Sequence, residues 1–227
     1  MSLEQRRGLA IAMDGPAGAG KSTIAKIIAN HLGYLYVDTG AMYRALALKA
    51  LRQGVNIEDD DALTQMAATT DVRLERLPSG GNRVLLDGED VTAEIRSPQV
   101  DRVVSRVSAA QGLRQHLIAM QREMAKNGGV VMDGRDIGSY VLPNADLKFY
   151  IDASLAERAR RRQQQQAQVG IHQDLAEIEA EIARRDESDR NKGPSSLVRT
   201  PDAIYVDTTG RGVDEVVQEI LAHCRRD

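Results

Sequence analysis

The chain has 227 residues, a formal net charge of −3 and 42% hydrophobic residues, enough to bury a sizeable core in one large α/β domain or a core with an insertion. That charge, the absence of tryptophan and the single phenylalanine argue against a dedicated nucleic-acid binder and leave no aromatic platform for stacking bases. The one cysteine, Cys224, rules out an intrachain disulfide and a cysteine metal cluster. With no apolar run of 18 residues and no long apolar stretch among residues 1–7, a cytoplasmic protein with no membrane partner is expected.

The first predicted element is a buried strand over Leu9–Asp14, followed by Gly15, Pro16, Ala17, Gly18, Ala19, Gly20, Lys21, Ser22 and Thr23. This run fits the G-x-x-x-x-G-K-[ST] phosphate-loop pattern without departure. Glycines let the backbone curl so that its N–H groups face a nucleotide's phosphates, and the helix that follows aims its positive end at the same anion. Lys21 can reach the β- and γ-phosphates of ATP, and the Ser22 hydroxyl can bind Mg²⁺. Ile24, Ile27, Ile28 and Leu32 predict a helix stopping at Gly33. A short strand over Tyr34–Val37 and a helix from Asp38-Thr39-Gly40 to about Gln53 come next. Two strand–helix steps in succession predict a parallel sheet covered on both faces, with ligands outside the carboxyl ends of its strands, where Asp14 and Asp38 lie. Asp38 reads equally well as the N-cap of the second helix or as part of a metal shell.

From about Asp71 the period changes to two. Val72 and Leu74 alternate with charged residues, Ser79-Gly80-Gly81-Asn82 is a turn signal, Val84–Leu86 returns, and Asp87-Gly88 turns again towards a third strand starting near Val91. This predicts a small antiparallel insertion over 70–105 within a core of 1–69 and 106–227. Ser105 is placed on a helix, and another carries Leu113, Leu117, Met120 and Met124. Val130–Asp133 is an apolar strand ending in a carboxylate, the usual partner of a phosphate loop in positioning Mg²⁺. Leu147–Ile151 and Ala203–Val206 complete a five-stranded sheet. Helical stretches are expected over 154–167 and 174–191, with Gln163–Gln166 as solvated helix or hinge, Gly193-Pro194 as a break, and Val213–Cys224 as the closing helix.

Two charged clusters bear on the chemistry. Arg158, Arg160, Arg161 and Arg162 fall within five residues, and 158, 161 and 162 share a helical face. Arg185, Asp189 and Lys192 share another; at about 100° per residue, Lys192 lies roughly 20° and Arg190 roughly 140° from Arg185. Either cluster alone reads as readily as a solvated or salt-bridged face. Beside a phosphate loop, arginines are also what phosphoryl transfer needs, because charge spreads over the equatorial oxygens.

The blocks D-G-P-A-G-A-G-K-S-T at 14–23, D-T-G-A-M-Y-R at 38–44, D-G-E-D-V-T at 87–92, I-R-S at 95–97, D-G-R-D-I-G at 133–138 and R-D-x-x-D at 185–189 resemble the bacterial cytidylate kinase family over nearly the whole chain. The resemblance implies Mg²⁺-dependent transfer of the ATP γ-phosphate to CMP or dCMP. It implies a P-loop kinase core, a monophosphate-binding insertion and an arginine-bearing lid over about 157–192. It places Arg44, Arg135 and Lys192 on the CMP phosphate, Arg185 and Asp189 on the ribose, Ser105, Arg114 and Asp136 on the cytosine, and Thr39, Tyr43 and Gly134 beside them. Lys21, Arg158, Arg161 and Arg162 become the catalytic cations, and Ser22, Asp38 and Asp133 the Mg²⁺ side of the site. Cytosine offers an amino donor at N4 and acceptors at N3 and O2, which a carboxylate, an arginine and a hydroxyl complement. Lys192 departs from the family, which has arginine there. Without the resemblance, Arg135 or Asp136 reads equally as a helix cap.

The rival readings are a phosphate-loop kinase for AMP, UMP or shikimate, a GTP-dependent switch, and a nucleic-acid-dependent ATPase. The first lacks an explanation for Ser105, Arg114 and Asp136. The second lacks an N-K-x-D segment, since Asn191-Lys192-Gly193-Pro194 has no aspartate. The third conflicts with the charge and the scarcity of aromatics. A monomer acting on small-molecule substrates is expected.

Overall fold

Side-chain alternation along β1 (Ala10–Asp14) divides the molecule into two layers. Ile11 and Met13 pack into one apolar cluster, Ala10 and Ala12 into another on the opposite face. The computed structural model describes residues 8–77, 81–168, 170–191, 193 and 196–224. After β1 come α1 (Lys21–Leu32), β2 (Leu35–Asp38), α2 (Thr39–Gln53) and α3 (Asp60–Ala68). They are followed by β3 (Val72–Arg76), β4 (Asn82–Leu86), β5 (Glu89–Asp90), α4 (Pro98–Val107) and α5 (Gln111–Ala125). The chain continues through β6 (Val130–Gly134), a π-helical turn (Ile137–Val141), β7 (Leu147–Asp152), α6 (Leu155–Gln168), α7 (Leu175–Arg190), β8 (Ile204–Asp207) and α8 (Val213–Cys224).

The main sheet has strand order β2-β6-β1-β7-β8, and every pairing in it is parallel. Its central strands are buried on both faces, which requires the near-continuous apolar runs seen in the sequence. Ile11, Val131, Phe149 and Ile151 face α1 and α8, each side chain contributing about 1.5–3 kcal/mol by leaving water. The register sets Asp38 beside Asp133, and Asp14 beside Gly134. Three acidic strand ends therefore share one edge.

The expected α/β class, parallel five-stranded core and antiparallel insertion are all present. Three details differ. The helix α3 has no counterpart in the sequence reading; Asp59 caps it by accepting from the Ala62 N–H at 2.9 Å, and it packs on α5. The third strand of the insertion starts at Glu89 rather than Val91. Asp87 (φ 50°) and Gly88 (φ 87°) both adopt left-handed backbone, making a two-residue hairpin that leaves no slack before pairing resumes. Third, α7 stops at Arg190, with Asn191 as its C-cap, so the helical backbone from which the shared face was read extends only as far as Arg190. Part of the turn at 79–82, together with Lys192 and Pro194, lies outside the described residues. The apolar side chains of the insertion (Val72, Val84, Leu86, Val91) share one cluster with α2, α4 and α5, so the small sheet has no separate core. Gln163 and Gln166 lie inside α6 and bond to Gln173, which makes the glutamine run helix rather than hinge. Among the described residues, no helix is long and apolar enough to cross a membrane.

Candidate active site

The phosphate loop leaves the carboxyl end of β1 over the top of β7. A Cβ at Gly15 (φ 146°) would sit 1.9 Å from the Ile151 carbonyl oxygen, so only glycine can make that crossing. Gly18 and Gly20 also have positive φ. Side chains from elsewhere take the loop's carbonyls: Arg158 Nη1 donates to Ala17 O at 3.2 Å, and Thr208 Oγ1 to Ala19 O at 3.1 Å. Across a trans peptide the N–H points away from its carbonyl, so the N–H groups of Gly18 and Gly20 face the opposite way, as an anion cradle needs. Lys21 folds back over the loop, donating to Pro16 O at 2.7 Å. Burial, then the charge of Arg135, pushes its ammonium down to about 7, with Asp133 and Asp14 opposing. Ala19 is buried, while Ser22 and Thr23 are exposed at the helix start.

On the β6 side of the loop, Ser22 Oγ donates to Asp133 Oδ2 at 2.6 Å and the buried Tyr36 hydroxyl to Asp133 Oδ1 at 3.0 Å. Burial, then the charge of Asp38, raises the Asp133 carboxyl to about 6. Asp38 caps α2, accepting from the Ala41 N–H at 2.9 Å, and its other oxygen lies 3.7 Å from Arg96. The capping reading therefore holds, without consuming the whole carboxylate. Thr39 Oγ1 donates to the Asp133 carbonyl at 2.7 Å. Two carboxylates and a hydroxyl form a hard oxygen set beside the loop. Among the described residues, no group of three His, Cys, Asp or Glu side chains could hold a metal unaided.

Beyond β6 the chain presents cations. Arg135 Nε bonds to Asp189 Oδ2 at 2.8 Å and Arg44 Nη1 to Asp101 at 2.6 Å. Partial loss of solvent, then the charge of Arg135, holds the Arg185 guanidinium below its ordinary value; Arg44 pushes the same way and Asp189 opposes. Arg44, Arg135 and Arg185 thus form one electrostatic group, of which Arg135 and Arg185 lie within range of Lys21. Next to it Arg114 pairs with the buried Asp136, leaving Arg114 Nε buried without an acceptor. The Arg114 guanidinium lies 5.8 Å from the centre of the Tyr43 ring. Neither Arg135 nor Asp136 caps the π-turn through its side chain, which removes the capping alternative. Gly134 leaves no room for a Cβ, which would meet Thr39 Oγ1 at 2.8 Å. Ser105 is exposed on α4, and no described hydrogen bond links its hydroxyl to Arg114 or Asp136.

The α6 arginines do not act as one face. Arg160 pairs with Glu157 in solvent. Arg161 donates to Thr208 Oγ1 at 3.0 Å and Thr208 O at 2.6 Å, next to Gly20. Arg162 is exposed. Arg158 is 5% exposed and pairs with the equally buried Asp186 of α7 at 2.7 Å.

A family model described as Cytidylate kinase matches residues 11–226. The chain belongs to the cytidylate kinase family. It is 70% identical over 220 residues to a cytidylate kinase of Symbiobacterium thermophilum, covering 97% of both chains. A cytidylate kinase of Desulfitobacterium hafniense is 50% identical over 217 residues, covering 96% of this chain and 93% of that one. The fold also matches an uncharacterized protein from Eubacterium ventriosum with a TM-score of 0.52 at 12% identity, over 95% of this chain and 98% of that one. Several site residues in this family member have no local signature in the sequence. Tyr36 and Thr208 reach Asp133 and Ala19 across 97 and 189 residues. Asp186 does stand inside the R-D-x-x-D block, and that position was the available clue.

Proposed function

We propose that the protein transfers the γ-phosphate of ATP to CMP or dCMP, giving ADP and CDP or dCDP, as a cytoplasmic monomer. The observation that carries this reading is the pairing of the half-buried Arg114 with the buried Asp136, itself one residue from Arg135 and three from Asp133. It joins a base-reading acid and arginine to the phosphate-neutralising group. Donor and acceptor sides are both built from one chain, so no second copy is needed. Gly15 to Thr23 hold the ATP phosphates, Lys21 bridging to the γ-phosphate. Ser22, Asp133 and Asp38 are the residues that would hold Mg²⁺, which when bound would neutralise charge on the donor phosphates.

On the acceptor side, Arg44, Arg135 and Lys192 neutralise the CMP phosphate, while Arg185 and Asp189 hold the ribose. Asp136 accepts from cytosine N4–H, Arg114 donates to N3 and O2, and Ser105 completes the edge as the insertion (70–105) closes. Thr39, Tyr43 and Gly134 wall that pocket. The carboxylates Asp101 and Asp189 now paired with Arg44 and Arg135 keep those cations in place until an anion replaces or joins them. No general base is required, because the attacking phosphate oxygen is already ionised at neutral pH. Arg161 and Arg162, carried by the α6–α7 lid (about 157–192), add charge at the transferring group. Arg158 serves them from behind the loop. Lid closure excludes water that would otherwise accept the phosphate.

Arg44→Ala and Arg135→Ala test the acceptor assignment. Losing a hydrogen bond to a charged group is worth about 1.5–3 kcal/mol, so each raises KM for CMP roughly tenfold to a hundredfold while KM for ATP stays put. Equal rises for both substrates would contradict the assignment.

A further inference from the structure

The guanidinium of Arg158 has bonds in three directions. Nε donates to Ala153 O at 3.0 Å, at the end of β7; Nη1 donates to Ala17 O at 3.2 Å, inside the phosphate loop; Nη2 meets Asp186 Oδ2 at 2.7 Å, on α7. The loop also rests on its stem, since a Cβ at Gly18 would lie 3.1 Å from Arg158 Cβ. On α7, Asp186 is turned about 100° from Arg185, so neighbouring residues serve different ends of the site. Arg185 joins the acceptor cations, Asp189 holds Arg135 at 2.8 Å, and Asp186 reaches the donor loop through Arg158.

We infer that the Arg158–Asp186 pair is a coupling element: it transmits the position of α7, set by the acceptor, to the phosphate loop that holds the donor. Both side chains are about 5% exposed, and Asp186 Oδ1 is buried without a partner. An apolar pair would serve stability as well or better, and a half-satisfied buried carboxylate is a poor choice for stability alone. What an ion pair supplies is direction. The planar fork fixes α7 to one carbonyl of the loop. A shift of α7 on acceptor binding therefore moves or stiffens Ala17 and Gly18, and the reverse holds by linkage. Arg158 and Asp186 are positioning residues in this account, acting through the loop. The inference rests on the acceptor-side assignment of Arg185 and Asp189 proposed above.

The test is calorimetric titration of CMP into the full-length protein with and without saturating Mg²⁺ and AMP-PNP, a non-hydrolysable ATP analogue. In the wild type the analogue tightens CMP binding by a factor in the usual coupling range of about 5–150. In Asp186→Asn that factor falls towards one, while each ligand alone binds within about twofold of wild type. A part that only stabilises the fold would lower the melting temperature and leave the factor intact. Arg160→Ala, on the solvated face of α6, keeps the wild-type factor. Should Asp186→Asn fail to fold by circular dichroism, Arg158→Lys keeps the charge but loses the fork, and the same loss of coupling is expected of it. A wild-type factor near one, or a folded variant that retains the factor, overturns the inference. A wild type that binds no CMP at all instead defeats the acceptor assignment on which it stands.

Discussion

Replacing Asp14 by asparagine exposes the cost of a buried charge at the carboxyl end of β1. Asp14 is 6% exposed and accepts the N–H groups of Ile137 and Gly138 at 2.8 and 2.7 Å, fixing the loop that carries Arg135 and Asp136. Burial outweighs those two bonds and raises its carboxyl from 3.8 to about 6. The folded protein therefore binds this proton more tightly than the unfolded chain. Between pH ~4 and ~6 the unfolded chain has released it and the folded chain has not, so stability falls as pH rises through that window. The rise from 3.8 to about 6 corresponds to ~3 kcal/mol in all, of which ~2 kcal/mol falls between pH 4.5 and 7.5. The asparagine variant has no proton to lose at this position. Urea unfolding of both proteins at several pH values should show the wild type losing about 2 kcal/mol relative to the variant across that range, then levelling. Carboxylates elsewhere titrate in both proteins and cancel. A stability difference that stays constant with pH would refute the assignment of a raised carboxyl to this buried position.

Asp136→Asn should lower kcat/KM for CMP by about ten- to a hundredfold, matching the loss of a charged hydrogen bond, and narrow the gap to UMP, because an amide can donate to uracil O4. An unchanged CMP/UMP ratio of kcat/KM would remove Asp136 from base reading. Gly15→Ala puts a Cβ on the Ile151 carbonyl. It should abolish nucleotide binding by calorimetry, and wild-type affinity would contradict the crossing described. Steady-state kinetics on Lys192→Ala should show a raised KM for CMP, with Arg190→Ala near neutral; Arg190 sits within electrostatic range of Tyr150 on β7. A larger CMP defect in Arg190→Ala would reverse that pair of roles.

Local patterns made most of the fold legible. The phosphate loop, the apolar strands ending in Asp14 and Asp133, the helix stop at Gly33 and the helix end near Gln53 are written in adjacent residues, and the structure keeps them to within a residue or two. The helix α3 escaped because Asp59, Asp60 and Asp61 look like a solvated acidic run, although they cap and charge its first turn. The candidate site was legible where its residues share a motif, as Arg135 and Asp136 do. It was not legible where the partner is distant in sequence: nothing near Tyr36 announces Asp133, and nothing near Thr208 announces Ala19. The arginine cluster misled in a different way. Helical spacing groups 158 with 161 and 162, but burial separates them, since Arg158 meets Asp186 while Arg162 faces solvent.

The most direct measurement is ADP release from ATP and Mg²⁺ in the presence of each nucleoside monophosphate in turn. Release should be slow with ATP alone and rise steeply with CMP or dCMP, because acceptor binding closes the lid and supplies the attacking phosphate. UMP and AMP should lag well behind, and CDP or dCDP should accumulate in step with ADP. Release that is the same with and without every monophosphate, or fastest with AMP, would contradict the account.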